Sequence, residues 1–100
     1  MNPDELRSIV TFLRQRVRLG EGGAAGETTI AFDAPAEDEL DRADLDLDAC
    51  RRILDAPWWD EMMCDIVETP KICDPEDSPE QILEYARDVI SEYIAKRLTP

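Results

Sequence analysis

Apolar positions along this chain fall into blocks with helical spacing, separated by short polar breaks. Leu6, Ile9, Val10, Leu13 and Val17 recur every three or four residues, and Phe12 and Leu19 widen the stripe, the pattern of a helix with one apolar face. Asn2, Pro3 and Glu5 supply a cap, a first-position proline and a capping-box partner. A helix is therefore predicted over residues 2–19, stopped by Gly20. Residues 20–27 hold all four glycines and read as a loop. The β-branched and aromatic run 28–33 is the one predicted strand. A strand alone leaves backbone groups unpaired, so a partner is expected at 43–47, at 71–73, or in the same strand of a second subunit.

The segment 34–46 is acidic. Leu40, Ala43, Leu47, Cys50 and Leu54 follow 3-4-3-4 spacing, which would suit one helix over 36–55. Aspartate is poor in helix interiors, so a short helical turn near 36–42 and a separate helix over 47–55 are preferred. Pro57 is expected to open a helix over 57–68 with Trp58, Trp59, Met62, Met63, Ile66 and Val67 on a broad apolar face, ending before Pro70. Ser78, Pro79 and Gln81 form a second capping-box start for a helix over 78–98. Its stripe comprises Ile82, Leu83, Ala86, Val89, Ile90, Tyr93, Ile94 and Leu98, with Lys96 and Arg97 in the last turn, where cations offset the helix dipole. The predicted fold is mainly α, a single domain over 1–100 with about four amphipathic helices and one short strand or hairpin.

Composition narrows the chemistry. The 100 residues include 24 acids, 11 bases and no histidine, for a net charge of −13. Without imidazole there is no ordinary general base near neutral pH, and the commonest metal ligand is missing; no catalytic residue and no cofactor is expected. The charge is uneven: residues 1–26 carry four arginines against three acids, and the rest of the chain is strongly acidic. The arginines are expected to face acids of the same fold or of a second subunit. Phosphate contacts need a basic face, so direct nucleic-acid binding is not expected, whereas a partner with a basic surface would be attracted. No stretch approaches the ~20 apolar residues of a membrane span. Three cysteines do not suggest a disulfide framework, and a reducing cytoplasm is the default.

Asp44, Asp46, Asp48 and Asp55 occupy positions 1, 3, 5 and 12 of a calcium-loop frame, but its glycine is replaced by Ala49 and its bidentate glutamate by Asp55. They are the only calcium candidates, and no metal is assigned. Cys50 and Cys64 fall on apolar stripes and read as core; Cys73 reads as a loop residue whose acidic neighbours raise its pKa. The adjacent tryptophans Trp58 and Trp59 point about 100° apart on a helix, so one of them could anchor a partner, with Met62 and Met63 giving an adaptable surface. The preferred function is a non-enzymatic, self-associating interaction module, an adaptor or an inhibitor of a basic partner. Its contact candidates are Trp58, Trp59, Met62, Met63, Glu37, Asp38 and Asp41. The alternative is a nucleic-acid mimic occupying a DNA- or RNA-binding site, with a calcium-binding domain less favoured.

Overall fold

The structure is a computed structural model and describes residues 3–20, 28–74 and 76–98. In these residues the chain forms α1 (Pro3–Gln15), β1 (Val17–Leu19), β2 (Ile30–Phe32), α2 (Glu37–Arg42), α3 (Leu47–Leu54), α4 (Trp59–Ile72) and α5 (Pro79–Leu98). The fold is mainly α, with one small antiparallel hairpin.

The first helix ends four residues earlier than its apolar stripe implies. Val17, Arg18 and Leu19 leave α1 and pair with Phe32, Ala31 and Ile30. The partner of the predicted strand is therefore neither 43–47 nor 71–73, and no second subunit is needed to supply it. Val17 is fully buried, so it serves a helical stripe and a strand equally well. What breaks the helix is a set of competing partners for its last carbonyls. Arg87 of α5 donates from Nε to the Arg14 carbonyl at 3.0 Å and from Nη2 to the Val17 carbonyl at 3.2 Å. Asp33 N–H donates to the Arg16 carbonyl, and Gly20 N–H to the Thr29 carbonyl at 2.8 Å. A Cβ on Gly20 would lie 2.5 Å from Thr29 Oγ1, so any larger residue here would force Thr29 to move. The Asn2 cap and the loop positions 21–27 lie outside the described residues.

α2 and α3 are two helices rather than one. Asp44 adopts a left-handed φ of 61°, Asp44 N–H donates to the Asp41 carbonyl, and Leu45 N–H donates to the Leu40 carbonyl. That pair of bonds is a Schellman ending, with aspartate in the place usually taken by glycine. Asp46 then caps α3, its carboxylate accepting from Asp48 N–H and Ala49 N–H.

The next helix differs from expectation at both ends. Pro57 precedes α4 in a turn closed by Trp59 N–H on the Ala56 carbonyl, and the helix starts at Trp59. It also runs through Pro70 to Ile72. Proline removes one N–H from the helical ladder, but here it does so in the last turn, while Thr69 is buried and donates its hydroxyl to the Asp65 carbonyl. α5 begins as its sequence implies: Ser78 N–H donates to Gln81 Oε1, and Gln81 N–H to Ser78 Oγ.

The core gathers around α5, which lies against α4, α1 and β1. Ile82, Ala86, Ile90 and Ile94 are buried along one of its faces, meeting Ile9 and Leu13 of α1, Val17 of β1, and Met62 and Ile66 of α4. Cys50 is buried as expected, but Cys64 and Val67, also expected on an apolar face, are exposed. Leu98 of the α5 stripe is exposed as well. Among the described residues no helix is long and apolar enough to cross a membrane. Ile90→Ala removes a fully buried side chain and is expected to cost ~2–5 kcal/mol. Ile72, 83% exposed, should tolerate alanine within about 0.5 kcal/mol. Denaturant unfolding of the two variants checks the contrast.

Candidate functional site

The expected contact residues do not form one surface. Met62 is fully buried and belongs to the core, and Met63 is partly buried against it. Trp59 meets Phe32 of β2 edge-on, with ring centroids 5.5 Å apart. Trp58 lies under the Arg97 guanidinium, 5.7 Å from the ring centroid. Both indoles are thus engaged within the chain. Glu37 pairs with Arg51, while Asp38 and Asp41 are exposed on α2.

Arg14, Arg16 and Arg18 of the basic first segment meet acids within the chain. Arg14 reaches Glu84 at 2.8 Å and Asp88 at 3.0 Å on α5, and also donates to Ser91 Oγ. Arg16 Nη2 lies 2.8 Å from Glu39 Oε2, a charge contact off the line of a hydrogen bond, while its Nε donates to the Asp33 carbonyl. Arg18 pairs with Asp33 at 2.7 Å and holds that carboxyl below its ordinary pKa, chiefly through the hydrogen bond. These arginines face acids of the same fold.

The calcium-frame aspartates do not converge. Asp44 terminates α2, Asp46 caps the start of α3 and Asp55 caps its end. Nine residues at about 1.5 Å each place Asp46 and Asp55 roughly 13 Å apart along the axis. Among the described residues no three acidic, cysteine or histidine side chains are placed to hold a metal ion. Asp46→Ala should therefore cost about 1 kcal/mol as a lost helix cap. Thermal unfolding should show the same loss in calcium chloride and in sodium chloride at matched ionic strength.

The structure brings together a different set. A groove of about 600 Å³ runs along the outer seam of α4 and α5. Asp65, Glu68, Thr69, Ile72 and Cys73 line one wall, Tyr85, Val89, Glu92 and Tyr93 the other, and Asp74 and Asp77 close the end where the chain turns. The two helices are antiparallel: Asp65 meets Tyr93 and Glu61 meets Arg97, so the numbering falls along one as it rises along the other. Five carboxylates surround the groove, and no lysine or arginine is in its lining. Ile72 and Tyr85 are exposed there, 83% and 46% respectively. At the far end the Arg97 guanidinium sits 5.3 Å from the Tyr93 ring centroid.

Two groove side chains have shifted acidities. Tyr93 donates its hydroxyl to Asp65 Oδ2, and this bond is the main reason its pKa is pushed up to about 12; desolvation and the Asp65 and Glu61 charges add to it. Burial is the main cause raising the Cys73 thiol, with Asp77 and Asp74 next, so the groove offers no activated thiolate. What the arrangement provides is a set of hydrogen-bond acceptors for ammonium or guanidinium groups, aromatic faces and an apolar contact.

Comparison with protein-family models, with curated proteins and with solved structures found no match.

The signal for the groove was present as spacing: Asp65, Glu68 and Ile72, like Tyr85, Val89 and Glu92, fall on one helical face. It is hidden when α4 is ended before Pro70, because Ile72 and Cys73 then belong to a loop. The Tyr93–Asp65 bond has a consequence at high pH. A phenol whose folded pKa exceeds its unfolded value stabilises the fold fully below about pH 10, and loses that contribution as pH rises toward about 12. In Tyr85→Phe protein, Tyr93 is the remaining tyrosine, and the ultraviolet absorbance of its phenolate should titrate near 12. Asp65→Asn should bring that midpoint down.

Proposed function

We propose that the protein is a non-enzymatic interaction module, an adaptor or inhibitor that holds a basic segment of a protein partner in the α4–α5 groove. The observation that carries this reading is the groove's charge. Elsewhere arginines meet acids within the chain, as Arg14, Arg16, Arg18 and Arg51 do. The groove gathers five carboxylates with no cation in its lining. Since no three of them converge as metal ligands would, they suit cations spaced along a polypeptide. Tyr85 adds an aromatic face for a cation, and exposed Ile72 gives an apolar anchor point of the kind that concentrates binding energy. The net charge of −13 would steer a basic partner toward the molecule, an effect that weakens with salt.

Titration of isotope-labelled protein with a lysine-rich peptide, followed by amide chemical shifts, tests this. Perturbations should cluster at Asp65, Glu68, Ile72, Tyr85 and Glu92 and leave Asp38 and Asp41 unmoved. A glutamate-rich peptide of equal length should shift none of them. Perturbations centred on α2, or spread evenly over all exposed acids, would contradict the assignment.

A further inference from the structure

We infer that the segment held in the groove is a short amphipathic helix with basic flanks, rather than an extended chain; this rests on the reading of the groove as a site for a basic partner. The walls are two antiparallel helices, so the seam between them has the ridges and hollows into which a third helix settles. From Tyr85 to Tyr93, and over residues 65–68 of the other wall, the backbone groups belong to helical ladders, and the last turn of α4 leaves carbonyls only. An extended ligand would find no row of free N–H and C=O groups to pair with, as it would at a sheet edge. Its own backbone would find no protein partners between the walls, whereas a helix satisfies its backbone internally.

Dimensions and charge agree with this. From Asp65 to Cys73, and from Tyr85 to Tyr93, each wall spans nine residues, or about 12 Å over eight steps of 1.5 Å, enough for roughly two turns of a ligand helix. Ile72 and Tyr85 stand exposed at the turn end, where apolar residues one turn apart on the ligand would meet them. Glu68 lies on one wall and Glu92 on the other, so both walls carry a carboxylate further along the groove from that apolar contact. The complementary ligand has an apolar stripe flanked on both sides by lysine or arginine.

Two labelled peptides of identical leucine, alanine and lysine composition test the inference against the full chain. One places leucines at helical spacing, the other alternates leucine and lysine as in a strand. The helical order should bind about tenfold or more tightly than the alternating order. Ile72→Ala and Tyr85→Ala should each weaken it by about tenfold, with circular dichroism unchanged, while Asp38→Asn with Asp41→Asn should not. If the alternating peptide binds as tightly and still depends on Ile72, the groove stands as the site and the helical ligand is overturned. If neither peptide binds, or binding ignores Ile72 and Tyr85, both the helix and the groove assignment fall.

Discussion

One face of α5 is buried against three other elements at once, and the positions of those elements follow from it. Ile82, Ala86, Ile90 and Ile94 lie on that face, and the helix they occupy contacts α4, α1 and β1. Each large isoleucine there represents ~2–5 kcal/mol against truncation, comparable with a sizeable part of the 5–15 kcal/mol by which small domains are stable. The same helix supplies Arg87, whose guanidinium takes carbonyls of Arg14 and Val17. Packing and hydrogen bonding from α5 thus turn the chain out of α1 and into β1, giving β2 its partner.

The candidate site follows from the same constraint. With the isoleucine face turned to the core, Tyr85, Val89 and Glu92 stand to the side of it, over the seam with α4. On α4, burial of Met62, Ile66 and Thr69 likewise turns Asp65, Glu68 and Ile72 to that seam. The groove is the outer margin of a well-packed interface. Its walls are rigid helices, which suits a binding surface whose side chains must stand in register with a ligand.

How much of this is legible in sequence depends on whether one physical signal dominates locally. α5 is readable because capping chemistry and apolar spacing agree, with Ser78 and Gln81 at its start; α3 is readable from its spacing and from the poor fit of aspartate inside helices, while its Asp46 cap emerges only in the structure. The end of α1 is not, because Val17 satisfies a helical stripe and a strand alike and the deciding donor, Arg87, lies some 70 residues away. Pro70 misleads because in the last turn a proline removes only one N–H from the ladder, and the helix runs on to Ile72. That one boundary hides Ile72 and with it the groove. The tryptophan pair draws attention by rarity, yet Phe32 and Arg97 occupy the two rings from within the chain. Spacing marks which side chains share a helix face; it does not show which acids find arginines, as Glu84 and Asp88 do and as the acids of the groove do not through its lining.

The proposed function places a basic segment of a protein partner between α4 and α5. Zero-length carbodiimide cross-linking of the full chain with a lysine-bearing amphipathic helical peptide as the partner, followed by mapping of the cross-linked residues, tests this placement. Partner lysines should be joined to Asp65, Glu68, Asp74 or Glu92, and loss of Ile72 and Tyr85 should abolish those links. Links concentrated on Glu37, Asp38 and Asp41, or scattered without preference over the exposed acids, would contradict it.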